Sequence, residues 1–300
     1  MRSHFRPPSV GTTHMRSHFI SGAAKACAVT GATAMLTSIC SGQVAYDAAT
    51  DPTYAGGWAA GQNGGYGFGG WSFDGTQAPD NSFVTSGQQG MSSSSPLGTA
   101  WTLFNLSSSA GLANAGRSFA PLQVGQTLET VIDNPTTTQF YRGWTVSFNS
   151  GNDNIYPGGS TYNPAGDTGL AQVQAYHFEY FNYGQWNVSD LSGNTATPLY
   201  HTDTAVAGVR LDLTLTSATT YSLTMTPLGG SAGPYTQTGS LANGGPIDWI
   251  QYQLYNNVSG GLTDTANNFE ISYIEVIPEP STLALIGFGS AGLLLFRRRK

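Results

Sequence analysis

Apolar and polar residues alternate along much of residues 43–277, as expected for β-strands whose two faces meet different surroundings. The clearest example is residues 209–215, in which four apolar side chains alternate with an arginine, an aspartate and a threonine. Residues 221–226 repeat this alternation after a five-residue link, which predicts a β-hairpin. No run of ten or more residues in this region shows a helical period.

The hairpin also predicts which side chains point into the core. Leu211 and Leu223 stand at apolar positions of its two strands, so we expect both to be buried. Asp212 and Thr224 stand at the alternate positions, so we expect them to face solvent.

Further strands follow from the same alternation, each bounded by turns rich in glycine, asparagine or proline. They are predicted at residues 127–132, 143–148, 171–183, 247–255 and 269–277. Such a series predicts an all-β fold, a single antiparallel β-sandwich that occupies residues 43–277 without an internal domain boundary.

The charge distribution sets this body apart from both ends of the chain. All 17 acidic residues lie between Asp47 and Glu279, with only three arginines among them, which gives the region a formal charge of −14. The other eight basic residues lie near the two termini. A body of this charge repels nucleic acid and anionic lipid head groups, so we expect no nucleic-acid partner.

The N-terminal segment has the features of a secretory signal peptide. Arg16 and Lys25 supply positive charge, and residues 26–39 are uncharged and mostly small or apolar. A sequence of small residues then precedes a predicted cleavage site between Gly42 and Gln43. We therefore expect an N-terminal signal helix that is recognised by the Sec export machinery.

The predicted signal peptide covers residues 1–42. The sequence Met-Arg-Ser-His-Phe occurs at residues 1–5 and again from Met15, so Met15 is an alternative natural start. Both cysteines, Cys27 and Cys40, lie in this segment, so the exported body is expected to contain no disulfide and no reactive thiol.

The C-terminal segment carries three features in order. The Pro278-Glu279-Pro280 sequence is followed by 16 uncharged residues, 281–296, and then by a basic tail of Arg297, Arg298, Arg299 and Lys300. A helix of 16 residues is about 24 Å long, shorter than the roughly 30 Å hydrocarbon core, but arginines that reach the interface cover the difference. We predict a transmembrane helix over residues 281–296 whose basic tail stays in the cytoplasm, which places the body outside.

A Pro-Glu-Pro sequence, a short apolar helix and a terminal arginine cluster together resemble the PEP-CTERM sorting signal of Gram-negative bacteria, here over residues 278–300. The resemblance implies recognition by an exosortase, a membrane transpeptidase thought to cleave near the Pro-Glu-Pro, in a bacterium that makes exopolysaccharide. It implies an inner-membrane intermediate, after which the body is released or transferred to the cell surface. Similar segments are also called ice-binding protein C-terminal domains, but the chain has no regular Thr-x-Thr ladder for an ice-matching face.

The order of segments in the body resembles a second group of proteins. A Gly-aromatic stretch at residues 51–71 is followed by residues 115–119 and 124–127, the predicted hairpin and a final strand. This order is similar to jelly-roll sandwiches of the laminin-G or concanavalin-A-like lectin kind. No segment matches a catalytic or lectin motif residue by residue, so the resemblance implies no site residues.

The sequence lacks the residue patterns that a catalytic carboxylate pair or a zinc site requires. The Glu-x-Asp-x-Glu run of laminarinase-like jelly rolls is absent, and a regular strand places Glu270 and Glu275 on opposite faces. A zinc site needs clustered histidines or cysteines, and the body has only His177 and His201. We interpret His177 as a surface histidine with satisfied hydrogen bonds. We therefore expect no enzymatic activity.

Calcium is the ion that the residue types favour most, although we expect no cofactor. Oxygen donors are grouped in two predicted loops, with Asn152, Asp153 and Asn154 in one and Asp264, Asn267 and Asn268 in the other. Asparagine and aspartate are also the ordinary residues of tight turns, and a turn is the interpretation that we favour for both loops.

Aromatic residues are numerous enough to raise the question of sugar binding, because exposed rings stack on sugar faces. The candidates are Trp58, Tyr66, Trp71, Tyr176, Phe178, Tyr180 and Trp186. Trp and Tyr in sandwiches are mostly buried, however, and the alternation of Tyr176, Phe178 and Tyr180 is typical of a core face.

The sequence thus favours an exported protein of the cell surface or extracellular matrix, sorted by an exosortase and without enzymatic activity. The sequence leaves two alternative functions open. The first is a carbohydrate-binding module for exopolysaccharide, and the second is an extracellular glycan hydrolase with an unrecognised site.

Overall fold

The computed structural model describes residues 44–74, 87–106, 111–134, 142–151, 171–178, 184–256, 261–264 and 266–278. The chain divides into two units, Met1–Ser41 and Gly42–Lys300, and every described residue belongs to the second.

Strands dominate the described residues, with one short 3-10 helix at Pro52–Tyr54 and one turn of α-helix, α1, at His201–Thr204. The strands are β1 (Ala45–Ala48), β2 (Ser72–Asp74), β3 (Gly87–Ser95), β4 (Gly98–Asn105), β5 (Gly111–Ser118), β6 (Thr127–Asp133), β7 (Arg142–Asn149), β8 (Ala171–Phe178), β9 (Gln185–Asp190), β10 (Gly193–Tyr200), β11 (Val209–Leu215), β12 (Thr220–Pro227), β13 (Tyr235–Ser240), β14 (Trp249–Asn256) and β15 (Phe269–Ile277).

These strands form two antiparallel sheets. The eight-stranded sheet has the order β13-β12-β11-β6-β15-β4-β3, with β1 also paired to β15. The seven-stranded sheet has the order β10-β9-β8-β7-β14-β5-β2. The inner faces pack on each other, and the hydroxyls of Thr130 and Tyr252 meet across the gap at 2.8 Å. The predicted all-β, antiparallel sandwich is confirmed.

The hairpin of β11 and β12 has the predicted inward face. Leu213 lies opposite Leu223, and both Leu211 and Leu223 are fully buried between the sheets. On the outer face, the expectation for Asp212 was wrong in part, because this side chain is mostly covered. It accepts a hydrogen bond from Arg210 at 3.0 Å and lies opposite Glu129 of β6. Burial raises the pKa of Asp212 to about 6, since little water remains to solvate its charge.

The Gly-aromatic segment at residues 51–71 forms part of the core. The Trp71 ring meets Trp101 of β4 at a centroid distance of 4.9 Å, and Trp58 packs edge-on against Trp71 at the same distance. Its glycines let the backbone run close to β1: a Cβ on Gly65 would lie 1.8 Å from the carbonyl oxygen of Tyr46.

An ion pair between Asp47 of β1 and Arg117 of β5 joins the two sheets. Both side chains are fully buried, and the guanidinium also donates to the carbonyl of Gly69 at 2.7 Å and to the Asn63 side chain at 2.7 Å. Its carbon lies 4.7 Å from the centre of the Trp71 ring, within cation–π range. The charge of Arg117 is therefore compensated on several sides.

A bulge in β15 changes the expected placement of two glutamates. The pairing of β15 with β6 shifts between Ile271 and Tyr273, so that Glu270 lies opposite Asp133 and Glu275 lies opposite Glu129. Residues 129 and 133 share a face of β6, so both glutamates point outward from the same face. The prediction of opposite faces was wrong because a bulge adds one residue to the strand and reverses the alternation beyond it.

Among the described residues, no helix has both the length and the hydropathy needed to cross a membrane. The predicted signal peptide, the transmembrane helix at 281–296 and the basic tail lie outside the described residues.

Candidate functional site

The outer face of the seven-stranded sheet carries two rows of uncharged polar side chains, which we call the polar rows. The strand register aligns them across β5, β14, β7, β8 and β9. The first row is Asn114, Gln253, Thr145, Tyr176 and Asn187, and the second is Gly116, Gln251, Ser147, Gln174 and Ser189. Neither row contains a charged residue, although the body as a whole is strongly acidic.

Every side chain of the polar rows is buried, yet several of their hydrogen-bonding atoms have no partner. Gln174 donates to Ser147 at 3.1 Å, but its carbonyl oxygen is left over. Both side-chain polar atoms of Asn114 and the hydroxyl of Thr145 also lack a partner. A buried polar atom without a hydrogen bond costs roughly 1–3 kcal/mol, so each of these atoms lowers the stability of the fold unless a partner is supplied.

One end of the second polar row is bordered by a tryptophan. Trp249 stands over Gly116, where a Cβ would lie 2.7 Å from the indole nitrogen, so only glycine allows the ring this position. The indole N–H has no partner, and the neighbouring Asn149 uses its amide nitrogen on Gln251 at 3.3 Å and keeps a free carbonyl oxygen. An aromatic ring beside free amide groups is a combination that suits a sugar ring.

For the candidate aromatic residues, the expectation of burial is confirmed for the three tryptophans, and the expectation that Tyr176 faces the core is wrong. Trp58, Trp71 and Trp186 are buried in the core, while Tyr66 is half exposed. Tyr176 lies in the first polar row on the outer face, opposite to its core-facing neighbours Ala175 and His177. Burial raises the pKa of Tyr176 to about 12 because the phenolate loses its hydration. The Phe178 side chain and Tyr180 lie outside the described residues.

The two histidines of the body lie together in the core. The His177 ring is stacked on Trp144 with centroids 4.3 Å apart, and the His201 ring lies 5.1 Å from that of His177. The interpretation of His177 as a satisfied surface histidine was wrong: it is buried, and neither ring nitrogen has a hydrogen-bond partner. Burial lowers the pKa of His177 to about 3, and His201 acts in the same direction. Burial also lowers the pKa of His201, against the hydrogen bond to the Gly184 carbonyl.

Of the two loops considered for calcium, only the second lies within the described residues. Asn152, Asp153 and Asn154 lie outside the described residues. In the second loop, Asn267 donates to Asp264 at 2.5 Å, and Asn268 donates to the carbonyls of Gly261 and Leu262 at 3.1 Å. These contacts are typical of a turn. Within the part of the chain that is described, no three His, Cys, Asp or Glu side chains form a metal-binding group.

The sorting residues lie at the limit of the described chain. Pro278 directly follows β15, which ends at Ile277. Glu279, Pro280, the basic tail and the predicted cleavage site at Gly42 and Gln43 are outside the described residues.

The C-terminal segment of the chain matches a known protein-family motif. Residues 276–300 match the PEP-CTERM protein-sorting motif. This motif is the recognition signal for exosortase and implies an exported protein that passes through a membrane-anchored intermediate. No curated protein matches the chain.

Several solved structures are similar to the chain at low identity. The exoplasmic/lumenal domain of VIP36 in its Ca²⁺-bound form has 8% identity and a TM-score of 0.44, with 69% of this chain and 82% of that one covered. A legume lectin-like domain from Entamoeba histolytica has 8% identity and a TM-score of 0.42, with 69% and 89% covered. A Bacillus subtilis protein of unknown function with a galectin-like fold has 12% identity and a TM-score of 0.39, with 69% and 88% covered. The fold assignment itself rests on the strand pairing of this chain.

The polar rows were missed by sequence reasoning. A signal is present, since glutamine, asparagine, serine and threonine occupy alternate positions in β7, β8, β9 and β14. On sequence alone this alternation indicates an ordinary solvent-facing side of a strand. Only the register shows that these positions form continuous rows, and only the packing shows that they are buried.

Proposed function

We propose that this chain is an exported, exosortase-sorted protein of the cell surface or extracellular matrix, without enzymatic activity, whose body binds carbohydrate. The polar rows on the outer face of the seven-stranded sheet are the proposed binding face. Exopolysaccharide is the proposed partner of the body, and exosortase and the Sec machinery are its proposed partners during export.

The observation that carries this proposal is the unused hydrogen-bonding capacity of the polar rows. Asn114 offers both a donor and an acceptor, Thr145 offers a hydroxyl, and Gln174 offers an acceptor. Sugars present closely spaced hydroxyl groups that both donate and accept, so they match such a mixed set.

The chemistry of the polar rows also supports a binding role over a hydrolytic one. Glycoside hydrolysis uses two carboxyl groups that flank the scissile bond. The two rows contain only amides, hydroxyls and a glycine, so this face offers no acid–base pair. The same absence of charge favours a neutral glycan, since no arginine or lysine is there to pair with an acidic sugar.

The test is binding of the purified full-length protein to an array of neutral and acidic oligosaccharides. We expect wild type to bind neutral glycans, and Thr145→Val to weaken that binding about tenfold, as for one lost hydrogen bond of roughly 1.4 kcal/mol. The valine has nearly the same shape, and the replaced hydroxyl has no protein partner, so stability should not fall. Asn114→Leu should behave in the same way.

Thr238→Val is the matched control, because Thr238 is exposed on β13 of the other sheet. Its binding should equal that of wild type. Absence of binding to every glycan would contradict the proposal, and so would a Thr145→Val variant that binds as tightly as the control.

A further inference from the structure

Two carboxyl groups lie side by side on the outer face of the eight-stranded sheet, away from the polar rows. Asp133 at the end of β6 is directly opposite Glu270 of β15. Directly opposed residues of antiparallel strands have Cβ atoms about 5 Å apart and share a face of the sheet. The bulge in β15 follows Ile271, so it leaves this pair in register.

An asparagine adds a third oxygen donor on the same face of the sheet. Asn268 precedes Glu270 by two residues and therefore lies on the same face of the chain as it enters β15. Its amide nitrogen is committed to the carbonyls of Gly261 and Leu262, and its side-chain oxygen has no partner.

All three side chains are buried, and four of their five oxygens are unpartnered. The relative exposures of Glu270, Asp133 and Asn268 are 0%, 1% and 1%. Both oxygens of Glu270, one of Asp133 and one of Asn268 have no hydrogen-bond partner. The Ser95 hydroxyl is close to Glu270 but does not meet the geometry of a hydrogen bond.

No basic side chain in the described chain compensates these carboxylates. The described ion pairs use Arg117 for Asp47 and Arg210 for Asp212 and Glu129. Two uncompensated carboxyl groups at this depth are costly unless something positive neutralises them.

The loop before β15 is packed against the same sheet. Leu262 packs so closely over Gly90 of β3 that a Cβ there would lie 2.8 Å from the leucine side chain. The hydrogen bonds from Asn268 tie the same loop to the start of β15. The three oxygen donors are therefore held by two strands and a packed loop.

We propose that Asp133, Glu270 and the side-chain oxygen of Asn268 bind a Ca²⁺ ion. Oxygen donors with two negative charges suit a hard divalent cation, and calcium accepts irregular sets of six to eight ligands that include water. Bound calcium would cancel the charge of the pair and tie β6 to β15 and its preceding loop. The site is separate from the polar rows and does not depend on carbohydrate binding.

The experiment is a calcium titration of the full-length protein after treatment with a chelator. We expect one Ca²⁺ per chain by isothermal titration calorimetry. We also expect a rise in melting temperature of about 5 °C at 10 mM CaCl₂, because a ligand that binds only the folded state stabilises it. Absence of both heat and stabilisation in wild type overturns the proposal, whatever the variants do.

Two variants locate the ion. Glu270→Gln and Asp133→Asn should each abolish the calcium-dependent rise in melting temperature. In chelator, the melting temperature of each variant should equal or exceed that of wild type, because a buried negative charge is removed. Asp264→Asn is the control, since it removes a carboxylate from the adjacent turn. A rise that is lost in Asp264→Asn but kept in Glu270→Gln would place the ion in that turn and overturn the proposal.

Discussion

At the scale of single residues, Leu211 and Leu223 show how the alternation along a strand determines which side chains contribute to the free energy of unfolding. Both side chains are fully buried and lie on neighbouring strands of the same sheet. Thr224 is adjacent to Leu223 in sequence but faces outward, where its hydroxyl meets that of Thr236 at 2.9 Å. Neighbouring positions of one strand therefore differ sharply in what a truncation removes.

We expect Leu211→Ala and Leu223→Ala each to lower the free energy of unfolding by about 2–5 kcal/mol, the usual cost of a cavity at a buried leucine. Thr224→Ala should change it by about 0.5 kcal/mol or less. Urea unfolding monitored by tryptophan fluorescence measures all three variants. Similar losses at Leu223 and Thr224 would show that both faces of β12 are buried.

His177 is a residue whose contribution depends on pH. Its folded-state pKa is lowered to about 3 by burial, whereas an unfolded histidine titrates near 6.5. Below pH 6.5 the unfolded chain therefore binds a proton that the folded chain does not. It follows that this histidine favours the folded state above pH 6.5, and that this stability is lost as the pH falls from 6.5 towards 3.

We expect the unfolding free energy of wild type to fall more steeply between pH 6.5 and pH 4 than that of His177→Phe. The difference in slope should be at most about 1.4 kcal/mol per pH unit, the value for one proton. Phenylalanine keeps the ring stacked on Trp144 but cannot take up a proton. Leu211→Ala serves as the control, because it should lower stability at every pH without changing the slope. Equal slopes for wild type and His177→Phe would refute the assignment.

At the scale of elements, β1 depends on contacts that its own four residues do not provide. It pairs with only part of β15, and its Asp47 reaches across the sandwich to Arg117 of β5. The Tyr54 hydroxyl from the 3-10 helix donates to the same carboxylate. The ion pair therefore links a short strand, the Gly-aromatic segment and the opposite sheet.

We expect Arg117→Met to cost about 3–5 kcal/mol of unfolding free energy, because it leaves the buried Asp47 charge without its partner. The double variant Asp47→Leu with Arg117→Met should recover most of this loss, since neither charge then remains. Chemical denaturation of the single and double variants gives the coupling energy between the two residues. A double variant that is less stable than Arg117→Met would mean that packing, and not charge, decides the cost.

At the scale of the whole molecule, the chain joins an acidic sandwich to a sorting segment. The last strand, β15, ends at Ile277, and the PEP-CTERM motif begins within its last residues at position 276. We expect export and sorting to be separable, because the predicted export signal and the sorting motif lie at opposite ends of the chain.

Replacing Pro278, Glu279 and Pro280 with alanine should leave export intact and block sorting. The precursor should remain membrane-bound with its C-terminal helix attached, because the export signal is unchanged and the recognition sequence is lost. Cell fractionation and mass spectrometry of the C-terminus report the outcome. Thr238→Val, on the body, should be processed like wild type. Normal processing and release of the alanine variant would disprove the role assigned to the motif.

Seven of the fifteen described strands and the sorting motif could be predicted from the sequence, because these depend on local patterns. The alternation at residues 209–215 reflects the two faces of one strand, and the Pro-Glu-Pro sequence is contiguous. The placement of Glu270 and Glu275 could not be predicted, since the bulge between Ile271 and Tyr273 leaves no clear mark in the sequence. The burial of His177 was missed because it depends on Trp144 and His201 from distant segments.

The sequence by itself determined the all-β class, the inward face of the hairpin and the sorting segment, since each is encoded by residues close together in the chain. The tertiary structure alone decided which polar residues become neighbours. The polar rows combine five strands that are aligned only by register, and Asp133 meets Glu270 across 137 positions of chain. Both proposed sites therefore arise from strand pairing, because side chains far apart in sequence share a face only when the register brings them together.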